Sequence, residues 1–245
     1  AGNTDIDISN TLMKFYMGQG MEFYLSSKVT SVGSGSVTFE KDGSTRTVQA
    51  DAVLLSAGRR PSTGGIGLET IGVYTERGAI VTDEFMRTNV AGVYAVGDVN
   101  GKSMLAHTAY READVAVNHI AGKKDRMRYN AVPSVIYTNP EVAVVGETEE
   151  SAKAKGLDVR TVRLPLTYSG RYVAEVDRGE GFCKLVLDKG TNRLLGVHMI
   201  GSYVSEIIYG AALMLETELP AEQLKKVIFP HPTVSEIIRE ALFHA

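Results

Sequence analysis

Residues 93–112 read VYAVGDVNGKSMLAHTAYRE. The apolar run 93–96 predicts a buried strand that stops at Gly97-Asp98, and a helix is predicted over 104–121, with Ala106, Ala109, Ala113, Ala116 and Val117 on related faces. A buried strand that ends in a carboxylate just ahead of a helix start places that carboxylate at the C-terminal edge of a sheet, where open α/β folds bind ligands. Asp98 suits a hydrogen bond from a sugar-like hydroxyl. The amides of Met104, Leu105, Ala106 and His107 would face a polar group at the helix start. Spacing alone is equally consistent with an ordinary Gly-Asp turn that Asp98 caps.

Upstream, a helix capped by Asp7 or Ser9 carries Ile8, Leu12, Phe15 and Tyr16 at helical spacing, and glycines 18 and 20 break it. Strands are predicted at 21–25 and 28–32. A hairpin follows at 36–40 and 45–49, with Asp42-Gly43 in its turn. The run 52–58, AVLLSAG, predicts a strand buried on both faces and ending in Gly58. Residues 58–72 read as a long loop, and 79–81 as a short strand.

Downstream, GKKDRMR at 122–128 is basic and polar and marks a predicted domain boundary. Beyond it the order becomes strands at 134–137 and 142–145, a helix from Thr148, then strands at 159–163, 182–188 and 194–200. Helices at 204–215, 221–227 and 233–243 close the chain. That is an α+β arrangement, an antiparallel sheet covered by helices. Residues 168–172, YSGRY, read as an exposed polar loop, and Cys183 as a small core residue of a strand.

Composition narrows the function classes. The chain has 245 residues, 44% hydrophobic and 22% charged, within the ordinary globular range. A net charge of −3 offers no basic field for nucleic acid or anionic lipid. No apolar stretch approaches the ~18 residues of a membrane span, and no secretory leader is visible. With a single cysteine, Cys183, the chain contains neither an intrachain disulfide nor a cysteine metal cluster, and no other metal-ligand spacing occurs; a cytoplasmic location is expected. No complete G-x-G-x-x-G fingerprint or Walker A sequence is present, so the chain holds no complete dinucleotide-binding unit of its own.

A second chemical signal is HPTVSE, residues 231–236. Thr233 and Glu236 have capping-box spacing, which by itself explains Glu236 as a helix cap. His231 stands between two prolines that restrict its loop. A carboxylate five residues on is placed to hold one ring nitrogen and orient the other for general acid–base work.

Taken together, LLSAGRRP (54–61), the block ending in VYAVGDVNGKSMLAHTAYRE, VIYTNPEVAVVGETE (135–149), GFCKLVLDKGTNRLLGVHMIGSYVSEII (181–208) and FPHPTVSEIIREA (229–241) closely resemble the pyridine nucleotide–disulfide oxidoreductases, and among these the branch that oxidises dihydrolipoamide. The resemblance covers essentially the whole chain. It implies α/β remnants of two Rossmann-like nucleotide-binding domains followed by an α+β interface domain: residues 1–57 from the NAD-binding domain, 58–124 from the FAD-binding domain, and 125–245 for dimerisation. It further implies that Gly97, Asp98, Met104, Leu105, Ala106 and His107 line FAD, that Val29 and Gly58 contact NAD, and that His231 is the base for a dihydrolipoamide thiol with Glu236 orienting it. In this family the histidine serves the flavin of the other subunit of a homodimer. The FAD fingerprint, the C-x(4)-C redox disulfide and the NAD fingerprint of such enzymes are not in the sequence, so the chain reads as a fragment of about half an enzyme, inactive by itself. The partners implied are a second copy of the chain and the lipoyl groups of 2-oxoacid dehydrogenase or glycine cleavage complexes. Ile207, Ile208, Ala211, Leu213 and Met214 form the apolar helix surface expected at the homodimer contact. A glutathione-reductase-like enzyme and a non-catalytic dimerisation module are the competing readings. Tyr168-Ser169-Gly170-Arg171 departs from the shorter run of many relatives.

Overall fold

The computed structural model describes residues 4–176 and 179–245. The chain forms two units: residues up to Leu12 together with Pro61–Ala245, and Met13–Arg60. Helix α1 (Ile6–Gly18) begins where Asp5 accepts the Asp7 amide on its side chain (3.0 Å) and the Ser9 amide on its carbonyl (3.1 Å). The cap is therefore Asp5, not Asp7 or Ser9, because only the residue ahead of the first turn can reach those orphan amides.

In the Met13–Arg60 unit, β1 (Lys28–Gly33), β2 (Ser36–Lys41) and β3 (Ser44–Gln49) form an antiparallel meander. Asp42 and Gly43 take positive φ values of 50° and 74° at the β2–β3 turn, the twist-matched hairpin geometry. Phe39 is buried against the Tyr24 ring, with centroids 4.9 Å apart. Two expected strands are absent here. Residues 21–25 are irregular, and 52–58 pair with nothing, leaving Leu54 and Leu55 exposed at 89% and 83%. An apolar run becomes a two-sided buried strand only when neighbouring strands supply its hydrogen bonds, and none of the described residues does so.

The larger unit is built on a five-stranded antiparallel sheet, consistent with the α+β expectation. Its strands are β6 (Ser134–Ile136), β7 (Val142–Gly146), β8 (Val159–Pro165), β9 (Phe182–Asp188) and β10 (Leu194–Ile200), in the spatial order β6-β7-β10-β9-β8. One face presents Val145, Cys183, Leu185, Leu187, Val197 and Met199 to α5 (Val204–Thr217) and α7 (Glu236–Phe243), whose Ile208, Ala211, Leu215, Ile237, Ile238 and Leu242 complete the main core. The opposite face is covered too. Ala152 of α3 (Glu149–Ala154) packs on Val159 and Val186, while Asp5 and Asp7 reach Lys184. Hence β9 is buried at six of its seven positions. Helix α3 starts at a capping box in which Thr148 and Ser151 exchange bonds of 3.0 and 2.9 Å. Helix α6 (Ala221–Leu224) is shorter than expected.

Several readings change. Residues 166–168 form a 3₁₀ turn and α4 spans Gly170–Glu175, so the supposed exposed loop carries the buried Ser169 and Tyr172. Ser169 caps α4 by accepting the Tyr172 amide at 3.2 Å. The short strand near 79–81 is β5 (Ala79–Ile80), paired with β4 (Thr75–Glu76). Residues 93–96 make one isolated bridge, Arg87 to Tyr94, instead of a strand, although Ala95 is buried. Helix α2 spans Ala106–Ile120, so Met104 and Leu105 precede it. Among the described residues no helix is long and apolar enough to cross a membrane.

Candidate functional site

The chemistry of the larger unit gathers in two places. The first is the turn ahead of α2. The Ala95 amide donates to the Met86 carbonyl (3.1 Å), and the chain then turns at Gly97, with φ +77°, into a 3₁₀ turn over Gly97–Asn100. Asp98 is exposed, and its carboxylate has no hydrogen-bond partner among the described residues. Leu105 at the N-cap of α2 is extended and offers no side-chain cap, and the first turn of α2 carries no acidic residue. A 15-residue helix whose orphan amides are left uncapped, beside an uncommitted carboxylate, fits a ligand that brings its own acceptor and its own hydroxyl donors. The His107 ring nitrogen Nε2 lies 2.8 Å from the Pro133 carbonyl, and both residues line a groove of about 940 Å³ together with Arg111, Tyr209 and Leu213.

This turn is held from below by a residue that sequence reasoning missed. Glu112 of α2 is completely buried. One carboxylate oxygen accepts the Gly97 amide (2.6 Å) and the Asn100 side-chain amide (2.8 Å), and the other accepts the Tyr129 hydroxyl (2.6 Å). Burial and the neighbouring carboxylate push the Tyr129 hydroxyl above its ordinary range, so it stays a donor. The available signal was position: Glu112 shares the buried face of α2 with Thr108, Val115 and Ala116, where a lone carboxylate requires partners.

The second place is the loop before α7. His231 Nδ1 lies 2.9 Å from Glu236 Oε1, and the Thr233 amide donates to Glu236 Oε2 at 2.9 Å. The Thr233 hydroxyl turns away to the Pro230 carbonyl (2.8 Å), so only the glutamate half of the expected capping box forms. α7 accordingly starts at Glu236 instead of Thr233. Ser169 donates to the Thr233 carbonyl at 3.0 Å, tying this loop to the turn before α4. The Thr233 amide, opposed by desolvation and helped by His231, holds the Glu236 carboxyl below its usual range. An ionised carboxylate only accepts, so Nδ1 carries the proton and Nε2 of neutral His231 keeps its lone pair. The His231 side chain is 80% exposed, so that basic nitrogen is presented outward.

The expected residues thus fall into separate groups. Gly97, Asp98, Met104, Leu105, Ala106 and His107 follow one another through the turn into α2, and His231 pairs with Glu236. Val29, exposed on β1, and Gly58, in irregular backbone, belong to the Met13–Arg60 unit. Cys183 is fully buried and its thiol is pushed up to about 12 by desolvation, which suits a core residue and not a nucleophile. Among the described residues no cluster of His, Cys, Asp and Glu is arranged to hold a metal.

Known proteins resemble the chain over nearly its whole length. Residues 2–113 match the pyridine nucleotide-disulphide oxidoreductase family, and residues 132–242 match the dimerisation domain of that family. Similar proteins include a mitochondrial dihydrolipoyl dehydrogenase of Pisum sativum (41% identical, covering 97% of this chain and 48% of the relative), dihydrolipoyl dehydrogenase 3 of Pseudomonas putida (40%, 97% and 52%) and a leghemoglobin reductase of Glycine max (41%, 97% and 46%). Among solved structures, LpdA from Mycobacterium tuberculosis superposes with a TM-score of 0.87 at 28% identity, over 98% of this chain and 53% of that one. The HOCl-induced flavoprotein disulfide reductase RclA from Escherichia coli superposes with a TM-score of 0.84 at 27% identity, over 99% and 56%. The chain spans about half the length of the relatives it matches.

Proposed function

This chain belongs to the pyridine nucleotide–disulphide oxidoreductase family, and from that premise we propose that it is the C-terminal half of a dihydrolipoyl dehydrogenase, a flavoprotein that oxidises dihydrolipoamide and passes the electrons through a redox disulfide and FAD to NAD. The observation that carries this reading is the His231–Glu236 pair, with Nε2 outward and basic. A thiol must lose its proton to become a nucleophile, and a positioned imidazole is suited to take it. Glu236 fixes the orientation of the ring.

FAD, when bound, would supply the two-electron acceptor. Asp98 would accept hydrogen bonds from its hydroxyl-bearing chain, and the uncapped start of α2 would face its polar groups, with Met104, Leu105, Ala106 and His107 alongside. Val29 and Gly58 would contact NAD. Residues 1–57 would belong to the NAD-binding domain, 58–124 to the FAD-binding domain and 125–245 to the interface domain. The 245-residue chain alone is expected to be inactive, because its single thiol is buried. Of the α5 residues expected at the contact, Ile208 and Ala211 are buried in the core instead; two copies would join through the exposed side of the helix, where Tyr209 and Leu213 are 74% and 54% exposed, to present His231 to the other subunit's flavin. Lipoyl groups of 2-oxoacid dehydrogenase or glycine cleavage complexes would be the substrates.

The test is the full-length protein. A flavin band close to one per subunit and NADH formation from dihydrolipoamide are expected, and His231→Gln should lower turnover by roughly 10²–10⁴-fold. A full-length protein without flavin would overturn this reading in favour of a dimerisation module. A flavoprotein that turns over glutathione disulfide but not lipoamide would move it to another branch of the family.

A further inference from the structure

The loop that would hold the flavin is not self-supporting. The turn over Gly97–Asn100 contributes two donors to one buried oxygen of Glu112, the Gly97 amide at 2.6 Å and the Asn100 side chain at 2.8 Å. Asn100 is used at both ends, since its side-chain oxygen accepts the Lys102 amide at 3.0 Å. Lys102 is anchored in turn, its ammonium donating to the Thr82 carbonyl at 2.8 Å and lying 5.6 Å from the centroid of the Tyr129 ring. Tyr129 gives its hydroxyl to the other Glu112 oxygen. It stands five residues ahead of β6, and the adjoining Met127 packs with Met86, Val115 and Ala116. A single fully buried carboxylate therefore joins the turn carrying Asp98 to the segment that enters the dimerisation sheet.

We propose that Glu112 is the positioning residue of the flavin loop: it fixes Asp98 beside the start of α2 and couples that placement to the seating of the segment around Tyr129. This rests on the flavoprotein reading above. A carboxylate is needed at that point because three donors converge there from two parts of the chain, the Gly97–Asn100 turn and Tyr129, and removing it would leave the two donors of the turn buried without an acceptor. Glu112 does not reach Asp98 and holds it only through the turn, so its effect falls on how well the loop grips its ligand.

Full-length Glu112→Ala, Glu112→Gln and Tyr129→Phe decide the matter, using the FAD dissociation constant of the apoprotein, its melting temperature and the amide exchange of Gly97. Glu112→Ala should weaken FAD binding roughly 10–100-fold, the usual effect of losing a residue that orients a direct ligand. Glu112→Gln should restore binding to within about threefold, because its carbonyl still accepts from Gly97 and Asn100 while its amide donates to the Tyr129 oxygen. Wild-type affinity in Glu112→Ala, or a glutamine as defective as alanine, overturns the proposal. Should Glu112→Ala fail to fold, Tyr129→Phe replaces it: weaker FAD binding with faster Gly97 exchange supports the coupling, and no change in either overturns it. If the wild-type full-length protein binds no FAD, the flavoprotein reading fails first. Gly97 exchange in the 245-residue chain then still tests the hold of Glu112, faster exchange in the alanine variant supporting it and equal exchange refuting it.

Discussion

At the scale of single residues, Glu236 divides its two oxygens between His231 and the Thr233 amide. Glutamine has one acceptor and so can satisfy only one of those two donors. Glu236→Gln in the full-length enzyme should therefore lower turnover roughly 10- to 100-fold, the worth of one hydrogen bond to a charged group, less than the loss expected for His231→Gln because the base itself remains. It should lower the melting temperature only by the equivalent of about 1 kcal/mol, since one bond of the loop is retained. Turnover equal to wild type would reduce Glu236 to a cap. Unlike Glu236, Cys183 has no such role to lose. Its neighbours on the same face of β9 and β10 are Leu185, Leu187, Val197 and Met199, and a serine there would test packing alone.

At the scale of elements, the join between β7 and β10 shows how tightly this sheet is built. Gly146 ends β7 with φ +80°, and a side-chain carbon added there would lie 2.2 Å from the Leu195 carbonyl and 2.4 Å from a Leu215 methyl. Neither the strand carbonyl nor the α5 core can give way cheaply. Gly146→Ala should cost at least about 3 kcal/mol, combining overpacking with a left-handed backbone that alanine resists. Urea unfolding measures it, and a loss below about 1 kcal/mol would show that β7 can shift. The same scale explains α4. Ser169 and Tyr172 are buried because the turn they form packs into the core beside Leu166, and the periodicity of a single helical turn is too short to read from sequence.

At the scale of the molecule, a buried ionic cluster ties the chain's first helix to the sheet nearly two hundred residues later. Lys184 is 2% exposed, and its ammonium lies 2.9 Å from Asp5, 2.8 Å from Asp7 and 3.2 Å from Glu149. The lysine holds Asp7 below the ordinary carboxylate range, and Glu149 is lowered by Lys153 and Lys184 together. Opposite Lys184 on β10, His198 donates from Nε2 to the Glu147 carbonyl at 2.8 Å, and burial holds its pKa below the usual value. All three groups are lowered in the folded state. Their contribution is therefore present above their unfolded values and lost as pH falls through the folded ones. The wild-type protein should lose stability from about pH 6.5 downward, first through His198 and then through the carboxylates. Lys184→Met should cost about 3–5 kcal/mol at pH 7 by leaving carboxylates without their cation. That cost should shrink in acid, where those carboxylates gain protons. A Lys184→Met deficit that is constant between pH 7 and pH 4 would refute the account. At this scale too, sedimentation of the chain at micromolar concentration should show a dimer, and a monomer would refute the α5 contact.

Local chemistry alone determined a good part of this protein. The strands at 182–188 and 194–200, the hairpin at Asp42-Gly43, the helix following Gly97-Asp98 and the glutamate half of the cap in HPTVSE were legible because each rests on alternation, turn residues or spacing within a few positions. The order of those motifs was enough to point to the family and to Asp98, His231 and Glu236. What only the tertiary structure decided is where the polar groups are buried. Glu112 and Lys184 look like surface charges in sequence, and each acquires its meaning from partners far along the chain: Gly97 and Tyr129 for Glu112, and Asp5, Asp7 and Glu149 for Lys184. The runs at 52–58 and 93–96 fail in the opposite direction. Their composition suits buried strands, but a strand exists only where another backbone accepts its hydrogen bonds, and that is a property of pairing between segments and not of the segment itself.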